Sequence, residues 1–207
     1  LLLSEENISW HGKYYNIDEL TIMPRPISNP FPIMIAAMDP KSITNAAERG
    51  FNVQSTVLSS SKNLLLERVN AFKRGKENLG EQGKLLNLSM QRVMYAAKDE
   101  QDAKEKNVLA YEYYKRFDNM YTGPGKVNKG FIDPLPRKQS LDELSENLII
   151  CPPDRMIEKL RSYAEAGVDE IIISSSFGQN QDDLIESMHR ISEKVIPFFQ
   201  NVNSRVA

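Results

Sequence analysis

Few residues in this chain are placed to do chemistry. The run Ala36-Ala37-Met38-Asp39-Pro40-Lys41-Ser42 carries an apolar segment into a helix start. Free N–H groups and the helix dipole at such a junction favour an anion. Met38, Asp39 and Ser42 are therefore candidate phosphate contacts, with the Ser42 hydroxyl near the third helical position. A plain Asp39 N-cap explains the same residues. Gln54, Ser55, Thr56 and Val57 end the next apolar segment, where ligand contact and structural hydrogen bonding both remain open. Ser174-Ser175-Ser176-Phe177-Gly178-Gln179 offers N–H groups to a phosphate or forms an ordinary turn. Gln91, Arg92 and Tyr95 share one strand, where Arg92 could reach a phosphate or a cofactor, and a solvated or salt-bridged Arg is the commoner case. His11 and His189 have no carboxylate or Cys arranged beside them for a nucleophilic triad or a metal, and no metal site is read. Cys151 is the single cysteine, which excludes an internal disulfide framework and a Cys-cluster zinc site. Before Pro152-Pro153 it reads as a small buried hydrophobe.

The elements that must position these residues alternate. Residues 33–37 form a short apolar run that fits a strand buried on both faces. Asp39 caps a helix with Pro40 at its first position, and Ile43, Ala46 and Ala47 give it one small apolar face. Gly50 stops it. Residues 51–57 are a second strand, so strand, helix and strand form a parallel βαβ unit. A helix follows over 59–72, a third strand over 86–97 and a long polar helix from Asp99 to about Phe117. Glycines and prolines between 122 and 137 mark a surface loop, and 118–147 is expected to be flexible. Order returns over 148–153, and a helix runs from about Pro153 to Ala166, stopped by Gly167. Residues 168–174 are the fourth strand counted, and 182–195 the last helix. Upstream, 9–15 reads as a small hairpin. The prolines at 24, 26, 30, 32 and 40 make 23–32 an extended connector. The whole is expected to be one α/β domain over 1–207 with a parallel sheet.

Composition narrows the classes. With 207 residues the chain can bury one sizeable core. Its 26 Lys and Arg against 28 Asp and Glu leave a formal charge of −2, which argues against a dedicated nucleic-acid binder. The longest near-continuous apolar run, 31–38, is far short of the ~20 residues of a membrane helix. No signal peptide is read, because Leu1-Leu2-Leu3 is followed at once by Ser4-Glu5-Glu6. The expectation is a cytoplasmic protein with neither nucleic acid nor membrane as partner.

Three blocks then carry a family resemblance. The first is Trp10-His11-Gly12-Lys13-Tyr14-Tyr15 with Pro24-Arg25-Pro26-Ile27, Pro30-Phe31-Pro32-Ile33-Met34-Ile35-Ala36, and Ser42 through Ala46-Ala47-Glu48-Arg49-Gly50. The second is Val93-Met94-Tyr95-Ala96-Ala97 with Asp99-Glu100 and Ala103. The third is Leu148-Ile149-Ile150-Cys151-Pro152-Pro153, then Gly167-Val168-Asp169-Glu170-Ile171 and Val195-Ile196-Pro197-Phe198. In order and spacing they resemble the bacterial luciferase-like flavin-dependent monooxygenases over nearly the whole chain.

The resemblance implies a (β/α)8 TIM-barrel fold, of which this chain holds about the last four β/α units. It implies reduced FMN, or a deazaflavin as the alternative, at the C-terminal ends of the strands. O2 and a small organic substrate react there, and a separate flavin reductase is a further partner. Met38, Asp39 and Ser42 fall at the flavin phosphate, and Thr56 and Val57 at the ring. The catalytic residues are expected in the absent first half, and the chain alone is expected to be inactive. The start at Leu1 fits a truncated reading frame. Two departures stand out: Cys151 replaces a frequent glycine, and Asp39 sits where a serine often helps hold the phosphate. A homodimer is expected, as family members commonly dimerise. A flavin oxidoreductase without oxygenation and a non-catalytic flavin-binding remnant are the alternative readings.

Overall fold

The computed structural model describes residues 4, 6–28, 31–60 and 62–203. Parts of the proline-rich connector, including Pro30, lie outside them. The chain divides into two compact units, Leu1–Ile33 and Met34–Ala207, where the sequence reads as one domain. In the first, β1 (Ile8–His11) pairs antiparallel with β2 (Asn16–Leu20), the hairpin expected from the sequence. Gly12 turns it, donating to the Tyr15 carbonyl at 2.9 Å. A side chain there would meet the Trp10 indole nitrogen at 2.5 Å.

The second unit is built on a parallel sheet. β3 (Met34–Ala36) leads through α1 (Pro40–Glu48) to β4 (Asn52–Thr56), then through α2 (Lys62–Leu79) and a 3-10 turn (Gly80–Leu85) to β5 (Leu88–Ala96). α3 (Glu100–Tyr121), a small hairpin of β6 (Val127–Asn128) and β7 (Phe131–Ile132), and α4 (Leu141–Asn147) follow. The chain then forms β8 (Ile149–Cys151), α5 (Pro153–Ala166), β9 (Glu170–Ser174) and α6 (Gln181–Arg190). A π-helical turn (Ile191–Val195) and α7 (Ile196–Asn203) close it. The wide turn lies just ahead of Pro197, which lacks the N–H that a regular helix needs.

β3, β4, β5 and β9 pair in parallel, with Ala36 beside Gln54, Thr56 beside Gln91, and Ser89 beside Glu170. The upper end of β5 takes a fifth strand, since Met94 to Ala96 pair with Ile149 to Cys151 of β8. The sequence reading counted four strands because three residues before Pro-Pro are too short to show a period. Ala96 is also held by α6: its N–H donates to Ser187 Oγ at 2.8 Å, and Arg190 Nε donates to its carbonyl at 2.7 Å.

Local signals explain most boundaries. Asp39 caps α1 with Pro40 behind it, and Gly167, at φ +105°, ends α5 in the left-handed region. α2 runs past the expected Phe72. Gly75 does not stop it but lets α1 approach, since a Cβ there would lie 2.6 Å from Ala47 Cβ. The stretch 118–147, read as a flexible loop, carries the end of α3, the β6–β7 hairpin and α4. Asn119 ties it together, donating from Nδ2 to the Lys126 and Asp133 carbonyls at 2.8 Å each. A reciprocal cap between Ser140 and Glu143 opens α4.

Strand alternation divides the sheet into two faces. Val53, Ser55, Leu88, Met90 and Arg92 face the helices and are buried. Val53, Leu88 and Met90 share one core with Ile43 and Ala47 of α1 and Leu65, Val69 and Phe72 of α2. Burying a side chain such as Phe72 is worth about 2–3 kcal/mol. The opposite, inner face is polar along β4 and β5: Asn52, Gln54, Thr56, Ser89 and Gln91. Among the described residues no further strand pairs with β3 or β9. Ile35 on β3 and Ile173 on β9 are 37 % and 43 % exposed. A groove of about 970 Å3 runs along β9, floored by Ile171, Ile173, Val195 and Phe199.

Candidate active site

In parallel α/β sheets, ligands sit at the C-terminal ends of the strands. Here that end gathers the turn after β3 (Met38, Asp39), the end of β4 (Thr56, Val57) and the turn after β9 (residues 175–180). Because β3 and β4 run parallel with Ala36 beside Gln54, four of the five candidate residues, Met38, Asp39, Thr56 and Val57, come to one rim. Ser42 joins them from the first turn of α1.

Their chemistry differs from residue to residue. The Asp39 carboxylate accepts the Ser42 N–H at 2.9 Å and the Ser42 hydroxyl at 3.1 Å. These two bonds hold its pKa below the ordinary carboxylate value. The Ser42 hydroxyl is thus engaged with the cap. Met38 is half-buried, and the Tyr121 hydroxyl faces its Sδ at 3.9 Å. Thr56 lies on the inner face, where its Oγ1 donates to the Gln91 carbonyl at 3.1 Å and accepts the Leu58 N–H at 3.1 Å. Val57 packs in the helix-side core, so its side chain turns away from that face.

Gln54 and Gln91 are the uncommitted groups. Both lie on the inner face, both are half-buried, and neither side-chain amide bonds to another described residue. An amide with a free donor and a free acceptor suits the alternating N–H, C=O and ring-nitrogen edge of an isoalloxazine. The sequence named both but gave no facing for Gln54, since every residue from Gln54 to Thr56 is polar and alternation is invisible there. Further up, Tyr95 and Ile150 pack with Ala103, Ala110 and Tyr114 of α3 and Leu144 of α4, which closes that part of the face. Phe177 meets Tyr95 edge-on at 6.0 Å.

The other sequence candidates have structural partners. Arg92 is fully buried on the helix side. Its Nη1 donates to the Leu58 carbonyl at 2.6 Å, and Nη2 donates to the Asn147 carbonyl. In the turn after β9, Gln179 accepts the Phe177 N–H at 2.9 Å and donates to the Ser175 carbonyl, so at least one of its N–H groups is already used. His11 is exposed and lies 3.4 Å from Asp18. Cys151 is buried, and burial pushes its thiol up to about 11. Among the described residues no group of His, Cys, Asp and Glu is arranged to hold a metal ion, and no helix is long and apolar enough to cross a membrane.

Two buried cations, Arg68 and Lys106, were missed. Arg68 of α2 is 6 % exposed, and its Nε and Nη1 have no hydrogen-bond partner. In the sequence Arg68 follows Glu67, and no reading singled it out. The signal was its spacing on the apolar stripe, three residues after Leu65 and four before Phe72.

Comparison with known proteins agrees with this architecture. The oxygenase component of the flavin-dependent trigonelline monooxygenase of Acinetobacter baylyi is 25 % identical over 197 residues. That alignment covers 91 % of this chain and 54 % of the relative, so the chain spans about half the length of the curated protein it matches. The crystal structure of monooxygenase RslO1 from Streptomyces bottropensis superimposes with a TM-score of 0.71 at 19 % identity. It covers 96 % of this chain and 57 % of its own. The coenzyme F420-dependent tetrahydromethanopterin reductase of Methanopyrus kandleri gives 0.63 at 18 %, covering 92 % and 58 %. These structures share the fold, an α/β barrel architecture of which this chain forms about half. The model of the luciferase-like monooxygenases matches residues 1–170, and the chain belongs to that family.

Proposed function

We propose that this chain is the flavin-facing C-terminal part of a monooxygenase that uses reduced FMN and O2 on a small organic substrate. The observation that carries the reading is the polar inner face at the strands' C-terminal end, with the free amides of Gln54 and Gln91. The flavin, when bound, supplies the oxygen chemistry. This chain's residues bind and orient it. Gln54 and Gln91 would hold the ring edge. Thr56 fixes the β4–β5 spacing through its bond to Gln91 and supports the turn at Leu58. Tyr95, Ile150 and Phe177 keep water from the upper part of the face.

A second reading is a deazaflavin oxidoreductase, favoured by the fold shared with an F420-dependent reductase. Isotope labelling separates the two. The protein made from the full reading frame is mixed with reduced FMN, 18O2 and a panel of aldehydes, ketones and N-methylated heteroaromatics. One 18O atom in a product supports the monooxygenase. Turnover without label, or with the deazaflavin alone, replaces it by the second reading.

A further inference from the structure

α3 lies along the C-terminal rim of the sheet, and contacts fix it there at three points. Asn107 Nδ2 donates to the Ile150 carbonyl on β8 at 3.2 Å. Arg137 ties its middle to the turn after β4, donating from Nη1 to the Tyr114 carbonyl at 3.3 Å and from Nη2 to Ser59 Oγ at 2.9 Å. The Tyr121 hydroxyl lies 3.9 Å from Met38 Sδ, in the turn after β3. The helix therefore passes the ends of β8, β4 and β3 in turn.

One side of α3 looks toward the inner face. Tyr95, four residues after Gln91 on β5, shares that face, and Lys106 Nζ lies 5.5 Å from its ring centroid. Two turns on, and then one turn more, Tyr113 and Phe117 share the side of Lys106. Tyr121 follows a turn later. Their rings stack, Tyr113 on Phe117 at 6.1 Å and 27°, and Phe117 on Tyr121 at 5.2 Å and 17°. Tyr114 is buried behind them and meets Tyr113 and Phe117 edge-on, which fixes their planes. Packing accounts for Tyr114. It does not account for Tyr121, which is 54 % exposed and, among the described residues, stacks on Phe117 alone. A ring already held by stacking takes a further ring with little loss of side-chain freedom.

We infer that Phe117 and Tyr121 form a pre-set aromatic wall of the substrate pocket and select a planar aromatic substrate over a saturated one of the same size. The inference rests on the reading of this rim as a flavin monooxygenase site, and it names the substrate class. Offset-stacked rings gain beyond the area they bury, and a puckered saturated ring does not.

Acetophenone and cyclohexyl methyl ketone test it, since both are neutral and share one heavy-atom skeleton. Their dissociation constants are measured by ligand-observed NMR on the protein made from the full reading frame, as wild type, Phe117→Leu, Tyr121→Leu and Tyr121→Phe. Circular dichroism confirms that each variant is folded. Wild type is expected to bind acetophenone about fivefold more tightly, the scale of one stacked pair. Both leucine variants bring the ratio toward one, and Tyr121→Phe keeps it. Leucine variants that weaken both ketones equally would mean that the rings serve packing, and overturn the inference. So does a wild type that shows no preference or binds neither ketone. Anaerobic titration of reduced FMN into the same proteins keeps the two readings apart. Unchanged FMN affinity in Tyr121→Leu with the ratio lost assigns the wall to the substrate. FMN affinity lost with the ratio kept assigns it to the cofactor, and overturns the inference. If wild type binds no FMN while the ratio still responds to the leucines, the proposed function falls and the aromatic wall stands.

Discussion

The Asp39 carboxylate accepts both the N–H of Ser42, at 2.9 Å, and its hydroxyl, at 3.1 Å. The N-terminus of α1 therefore holds an anion of its own. These bonds lower the Asp39 pKa below 3.8, so its contribution to stability is complete above about pH 4 and is lost as pH falls through the lowered value. Asn caps a helix as well as Asp but does not titrate. The melting-temperature difference between wild type and Asp39→Asn should be flat from pH 5 to 8 and turn against wild type only below pH 4. The same variant should bind phosphate more tightly than wild type at pH 7.

Lys106 joins α3 to α6, lying 3.1 Å from Asp102 and 2.8 Å from Asp183. Its side chain and that of Asp102 are 8 % and 6 % exposed. Burial alone would lower the Lys106 pKa, but the two carboxylates outweigh it and raise it. A raised lysine pKa gives stability that is complete below the unfolded value and is lost only in strong alkali. Lys106→Met leaves the buried Asp102 carboxylate without its cation, held only by the Lys98 N–H at 3.0 Å, and should cost about 3 kcal/mol in urea unfolding at pH 7. Lys106→Met with Asp102→Asn should recover part of that loss. A loss no larger than that of an exposed pair would contradict the assignment.

Cys151 should be inert in the folded protein. With its thiol pushed up to about 11, only about one molecule in a thousand is thiolate at pH 8. A disulfide reagent should find no reactive thiol in buffer and one per chain in urea. Rapid native labelling would show that β8 opens readily.

How much of this was legible depended on local signals. α1 was readable because Asp39-Pro40 opens it, Ile43, Ala46 and Ala47 line its inner face and Gly50 ends it. α2 was cut short because Lys73-Arg74-Gly75-Lys76 looks like an exposed stop, whereas Gly75 is the point of closest approach to α1. Only tertiary contact shows that. At the site, Met38, Asp39 and Thr56 came from the strand-to-helix junctions. Gln54 and Gln91 needed the register, because polar residues fall on both faces of β4, Ser55 among the helices and Thr56 inward. Arg68 was hidden by its charged neighbour.

Because no further strand among the described residues pairs with β3 or β9, the isolated chain is predicted to self-associate, most simply as a two-fold dimer. Ile173 is exposed on β9, so Ile173→Lys should leave the fold intact and weaken the association. Sedimentation equilibrium of both proteins reads this out. A folded wild-type monomer at ~100 μM, or a dimer that the charge leaves untouched, would contradict it.

The central claim is that the polar inner face of this half-barrel holds a flavin only when the rest of the site is present. The most direct test is an anaerobic calorimetric titration of reduced FMN into three samples: the full-length protein, its Gln91→Leu variant and the 207-residue chain. The account predicts saturable one-to-one binding to the full-length protein, about tenfold weaker binding to Gln91→Leu through loss of one ring contact, and little or none to the chain alone. Tight one-to-one binding by the chain alone, or no flavin binding by a folded full-length protein, would contradict it.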